Sequence, residues 1–208
     1  MWPERQTRRP WSTRILPVAL DIAPVSQAGV TIDVSCFGLD SLDKLSDERF
    51  MVFYNQLAAP NDAIRLDASG ANARFSVNLA ALPASIVKLV FVAATDVPGT
   101  MRSLGASAMR LGDAVTFPLS GADFQEEKAV IVGEIYRKDE VWRFGAVGQG
   151  FSGGLSTLLA LFGGTEAAPA PVEQKRVSLS KVTLENAATR FRWRSAAAAA
   201  ATAVSWSA

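Results

Sequence analysis

The chain has 208 residues, close to half of them apolar, with a formal net charge of +1 and no histidine. That length allows one domain with extensions, and the lack of imidazole excludes a Ser-His-Asp triad, a Cys-His pair and any histidine metal ligand. The single cysteine, Cys36, excludes an internal disulfide and a thiolate zinc centre.

Charge is unevenly spread. Residues 1–14 and 166–208 each carry a net +3, and residues 15–165 carry −5. An acidic body argues against a nucleic-acid-binding surface and is compatible with a divalent cation. No apolar run reaches the roughly 18 residues needed to span a bilayer. The opening MWPERQTRRPW has charge without an apolar core, so it does not read as a signal peptide. A cytoplasmic protein is expected.

In chain order, an N-terminal extension (1–13) precedes a first strand over Arg14–Ile22, where Pro17 suggests an edge or a bulge. Val30–Phe37 alternates, with Val30, Ile32, Val34 and Cys36 on one face and Thr31, Asp33, Ser35 and Phe37 on the other. Cys36 reads as a small buried hydrophobe in that pattern. Phe50–Tyr54 is short and nearly all apolar, as a strand buried on both faces would be. Phe75, Val77 and Leu79 alternate with Ser76 and Asn78. Ile86–Ala94 is a dense apolar run, and Met101–Leu111 and Ala114–Leu119 are weaker strands. Phe50, Phe53, Phe75, Phe91, Trp142 and Phe144 fall at strand periodicity and are expected in a core.

Ala129–Val147 reads as a hairpin turning at Lys138-Asp139-Glu140, with Glu134 placed to pair with Arg143 across it. Gly145, Gly148, Gly150 and Gly153 lack the spacing of a dinucleotide fingerprint and are expected to make a tight crossover into a helix at Ser156–Phe162. Short runs punctuated by Gly, Pro, Asn and Asp predict an antiparallel β-sandwich, an all-β fold with one short C-terminal helix.

Beyond 164 the composition changes. Residues 165–175, TEAAPAPVEQK, form a Pro/Ala-rich linker. Arg176–Glu185 alternates like a new strand, the start of a truncated second domain, and the remainder, with six alanines at Ala196–Ala201, has no core and reads as a disordered tail. In a shifted frame the codons for Glu185–Trp193 can encode Glu-Arg-Gly-Asp-Thr-Val-Ser-Leu. A longer natural product, with the tail a frameshift artefact, is therefore expected.

Several segments carry a family resemblance: SDERF (Ser46–Phe50) followed by FYNQ (Phe53–Gln56), VNLAALPASIVKLVFV (Val77–Val92), GEIYR (Gly133–Arg137), Trp142-Arg143-Phe144 and AVGQGFSGGL (Ala146–Leu155). In this order they resemble the TerD family of tellurium-resistance and general-stress proteins. The resemblance implies a TerD-type sandwich that binds rather than catalyses. It implies association with other stress-response or tellurium-resistance proteins, and peripheral attachment to the inner face of a membrane. It also implies Ca²⁺ held by acidic loops at one end of the sandwich. Calcium takes roughly six to eight oxygens, and close carboxylates repel unless a cation sits among them.

The positions that match are Asp33 in TIDVS, Asp47 in SDERF, Asn55 in FYNQ, Asp62 in PNDAIRL, Asp67 in RLDASG and Asp96 in AATDVPG. Thr31 and Thr95 stand where the family has Asp and His. DASGANARF (Asp67–Phe75) has one carboxylate and adds Arg74 where the family has an acidic glycine-rich loop. Fewer anionic ligands weaken calcium binding, so one degenerate, weak site is expected from this set. For any one of these Asp residues a turn or cap role is the competing reading. The competing function is an interaction or scaffold domain of a larger protein that has lost calcium. No nucleophile motif, paired carboxylates or phosphate loop emerges, and no enzyme is expected.

Overall fold

The computed structural model describes residues 15–22, 31–69, 71–95 and 99–164. The N-terminal extension, the linker at 165–175 and the segment 176–208 lie outside the described residues, as does Asp96.

Among the described residues ten strands and one α-helix follow in order: β1 Leu16–Asp21, β2 Ile32–Leu39, β3 Met51–Val52, β4 Ile64–Ala68, β5 Asn72–Val77, β6 Lys88–Thr95, β7 Ser107–Leu111, β8 Val115–Leu119, β9 Ala129–Lys138, β10 Val141–Phe151 and α1 Gly154–Leu161. They form two five-stranded sheets, ordered β10-β9-β6-β2-β3 and β4-β5-β1-β7-β8, with every pairing antiparallel. This is the all-β sandwich with a short C-terminal helix that the strand-length periodicity predicts.

The inner faces meet in one core. Ile32, Val34 and Cys36 of β2, Leu89, Phe91 and Ala93 of β6, and Val130 and Val132 of β9 face Leu16, Val18 and Leu20 of β1 and Ala73, Phe75 and Val77 of β5. Phe75 and Phe91 touch edge to face at 5.4 Å, a favoured aromatic geometry. Cys36 is fully buried, and burial pushes its thiol far above the ordinary range, which makes it inert.

The first sheet is also covered on its outer face. Phe37, Leu39, Val90, Val92, Ala129 and Ile131 pack beneath Leu158, Leu159 and Phe162 of the α1 region. This second burial explains why β2, β6 and β9 are almost uninterrupted apolar runs: neither face is wet. The second sheet keeps a polar outer face. There Asp21 accepts from Arg74 at 2.6 Å and from Arg110, which flank Ala19 on neighbouring strands.

Four expectations from sequence are corrected. Pro17 sits in a central strand, one residue beyond the Val18–Leu111 end of the β7 ladder, so its missing N–H leaves no bond unmade there. Phe50–Tyr54 is not one buried strand. A 3₁₀ turn at Glu48–Phe50 and the two-residue β3 lead into a tight turn bridged by Phe53 and Gln56, and Tyr54 is 56% exposed. Met101–Leu111 begins as a 3₁₀ turn at Met101–Ser103 and becomes a strand only from Ser107. The glycine run is mostly strand: β10 continues to Phe151, and Gly148 (φ 66°) sits where the register shifts between Ala146 and Gln149. The turn into the helix is left to Gly153 and Gly154. On the hairpin itself, Arg143 reaches Asp139 at 3.3 Å, and Glu134 lies 3.6 Å from Lys88. β4 was not foreseen, although Ile64 and Leu66 alternate inward with Arg65 and Asp67 outward.

Replacement of Phe91 by Ala removes a ring from the core between the two sheets. We expect a loss of about 3–5 kcal/mol in urea unfolding, against less than about 0.5 kcal/mol for Tyr54→Ala on the exposed turn.

Candidate functional site

Of the six residues singled out from sequence, five lie among the described residues, and these five are spread over β2, the turns around β3 and strand β4 with the turn before it. Asp33 lies on β2 opposite Ala94, half-buried on the helix-covered face of the first sheet. Strand β6 ends one residue beyond that partner, at Thr95, which precedes Asp96.

Asp47 is a cap. Its carboxylate accepts from the backbone N–H of Arg49 at 3.1 Å and from the guanidinium at 2.9 and 2.7 Å. The side-chain bonds from Arg49 hold its carboxyl below the ordinary carboxylate range. Asn55 is exposed in the Phe53–Gln56 turn. That turn is held instead by Gln56, whose amide donates to the carbonyls of Glu48 at 3.0 Å and Met51 at 2.6 Å.

Asp62 and Asp67 do come together. With Ile15, Arg65, Ser76 and Asn78 they line a surface cavity of about 330 Å³ on the outer side of β4 and β5. Asp62 follows Asn61 in a 3₁₀ turn, both residues left-handed at φ 50° and 57°, a conformation that Asn and Asp tolerate best. Asp67 accepts from Ser76 at 2.6 Å and lies 3.0 Å from the Arg65 guanidinium. Asn78 is fixed through its backbone, which donates to the carbonyl of Ala63 at 2.9 Å. Its side-chain Oδ1 is buried and has no hydrogen-bond partner among the described residues. Sequence reasoning found the two aspartates and missed the other four lining residues. The alternation Arg65, Asp67 on β4 facing Ser76 on β5 was the available signal.

This set does not fit a calcium ion. Calcium needs roughly six to eight oxygens with enough negative charge to offset dehydration. Here one of two carboxylates is already neutralised by Arg65. Arg74, expected to oppose a cation, is instead committed to Asp21. Among the described residues no three His, Cys, Asp or Glu side chains gather as metal ligands would, and no helix is long and apolar enough to cross a membrane.

A second set of polar residues holds the loop after β2. Asp40 accepts from the backbone N–H groups of Leu42 at 2.8 Å and Lys44 at 3.0 Å and from the Ser46 hydroxyl. These bonds, Ser46 first, hold its carboxyl below the ordinary range. Lys44 donates through Nζ to the carbonyl of Leu161 at 2.8 Å, at the helix C-terminus where a cation is favoured. Lys88 is lowered by burial, but the carboxylates of Asp43 at 2.6 Å and Glu134 raise it above its ordinary value on balance.

The protein is thus an antiparallel sandwich with a helix laid over one sheet and arginine-paired carboxylates over the other. The TerD domain model matches residues 8–162, so the chain belongs to the TerD domain family. It is 35% identical over 145 residues to tellurium resistance protein TerA from Alcaligenes sp., covering 64% of this chain and 43% of that protein. Thus the chain spans less than half the length of that relative. It is 31% identical over 149 residues to general stress protein 16U from Bacillus subtilis (strain 168), covering 64% and 77%. A crystal structure of a telluride resistance protein (TerD) homologue from Streptomyces coelicolor A3(2) matches in fold, with a TM-score of 0.56 at 15% identity, covering 74% of this chain and 99% of that one.

Acid should loosen the caps. Asp40 and Asp47 have depressed carboxyl values when folded, so the stability they add is present above about pH 4, the unfolded value, and is lost as pH falls through the folded values. We expect the melting temperature to fall below about pH 4, and the fall to be shallower in the Asp40→Asn, Asp47→Asn double variant when both are followed by circular dichroism.

Proposed function

We propose that this chain is a non-catalytic stress-resistance domain that acts by associating with partner proteins, and that its association does not require calcium. The observation that carries the reading is the commitment of the family-pattern carboxylates to this chain's own arginines, Asp47 to Arg49 and Asp67 to Arg65. A guanidinium in the ligand position supplies the charge a cation would bring and blocks the oxygens it would use. The lack of histidine across the whole chain supports a binding role over acid–base chemistry. Kinship with tellurium resistance and general stress proteins supplies the setting.

One observation favours a second reading, weak calcium binding at Asp33 with Asp96. Asp33 is a half-buried carboxylate within a strand, where Asp is disfavoured. The two readings separate in one titration. With the calcium-independent domain, calorimetry at millimolar Ca²⁺ gives no binding heat, and the melting temperature is the same in Ca²⁺ and in chelator. Binding heat that disappears in Asp33→Ala would sink the first reading in favour of the second.

A further inference from the structure

We propose that β10 is the edge through which two copies of this chain pair, joining their first sheets antiparallel across a two-fold axis at Phe144. This goes beyond the association proposed above and does not depend on it, because the occupant of the edge is a second copy.

Among the described residues, three of the four sheet edges are blunted, as exposed edges usually are. β3 has two residues and runs into the Phe53–Gln56 turn. β4 is covered by the segment before it: the Leu66 N–H donates to the Leu57 carbonyl and the Ala59 N–H to the Ile64 carbonyl, both at 2.8 Å. β8 carries Pro118. β10 differs, with eleven residues, no proline and Arg143 as its one charged residue. It ends its sheet, with β9 as its one strand neighbour among the described residues. Trp142 and Ala146 of β10, with Val115 and Phe117 of β8, pack against the core yet stay half-exposed along this side of the sandwich.

The hairpin turn fixes which backbone groups face outward. Asp139 and Glu140, left-handed at φ 53° and 59°, form a two-residue turn closed by Lys138 and Val141. Hydrogen-bonded and non-bonded pairs alternate from there. Arg143 and Gly145 therefore bond to β9, and the N–H and C=O groups of Trp142, Phe144 and Ala146 point away from it. A second β10 running the other way sets Trp142 against Ala146 of the second copy and Phe144 against its own counterpart. Each such pair exchanges both backbone bonds.

Charge selects a second copy over an unrelated strand. The same register sets Arg143 beside Gly145 of the second copy. Glu134, opposite Gly145 on β9, lies across that glycine: a Cβ there would be 3.1 Å from the Glu134 Cγ and 3.2 Å from its Oε1. Arg143 of each copy thus meets Glu134 of the other, on both sides of the two-fold axis. Within one chain Arg143 stands opposite Tyr136 and reaches Asp139 instead.

The test is sedimentation of the full chain across a concentration series, where a reversible dimer in the micromolar range is expected. Arg143→Glu and Glu134→Lys each set like charges at the contact and are expected to weaken the dimer at least about tenfold. An equimolar mixture of the two variants is expected to regain it, since both contacts of the mixed dimer again join opposite charges. Misfolding of either variant cannot produce that recovery. Amide exchange at Trp142, Phe144 and Ala146 is expected to slow as concentration rises. A monomer at every concentration overturns the proposal, as does a dimer indifferent to both substitutions or a mixture that stays monomeric. Protection of those three amides at every concentration gives the edge to another part of the chain and overturns it too.

Discussion

The burial of the first sheet on both faces is the constraint from which the rest follows. Strands β2, β6 and β9 have the opposing sheet on one side and the α1 layer on the other. Each side chain of Leu, Ile, Val or Phe removed from water there contributes about 1.5–3 kcal/mol before the entropy of ordering is counted. That gain requires the helix to stay down. Its end is held by the loop after β2: Lys44 reaches the Leu161 carbonyl, the Leu45 N–H binds the Phe162 carbonyl at 2.9 Å, and Asp40 fixes the loop that presents both. A polar clasp of a few hydrogen bonds thus secures an apolar layer.

The two outer surfaces divide the labour. Covering one sheet with α1 leaves the other as the sheet with a wet face, and charge collects on it: Arg65 with Asp67, and Arg74 and Arg110 with Asp21. Exposed ion pairs of this kind add little stability. Their consequence is chemical. A guanidinium beside a carboxylate opposes a cation at the same oxygens. Asp62 and Asp67 border one cavity on that face, set there by β-strand register and a left-handed turn.

Much of the sandwich was legible because strand burial leaves a period-two trace. The alternation of Ile32, Val34 and Cys36 and the hairpin around Asp139 mark β2, β9 and β10 in the sequence itself. Legibility failed where a competing force acted. The Asp47 cap and the Gln56 amide broke Phe50–Tyr54 into a turn despite its apolar content. A bulge at Gly148 let β10 run through glycines that suggest a break. Pro17 marks an edge by rule, yet the end of the β7 ladder makes a central place harmless.

By itself the sequence determined the architecture and the absence of imidazole chemistry. Hydrophobic period and residue inventory are properties of the chain, independent of which segments meet. The partner of each carboxylate was decided only in three dimensions. Asp47 lies two residues from Arg49, and so does Asp67 from Arg65, but such spacing brings side chains together only once the local turn or strand is formed. Asp21 meets Arg74 and Arg110 through cross-strand register between distant segments. A linear pattern of acidic residues records how much negative charge is present, and the fold decides which cation answers it.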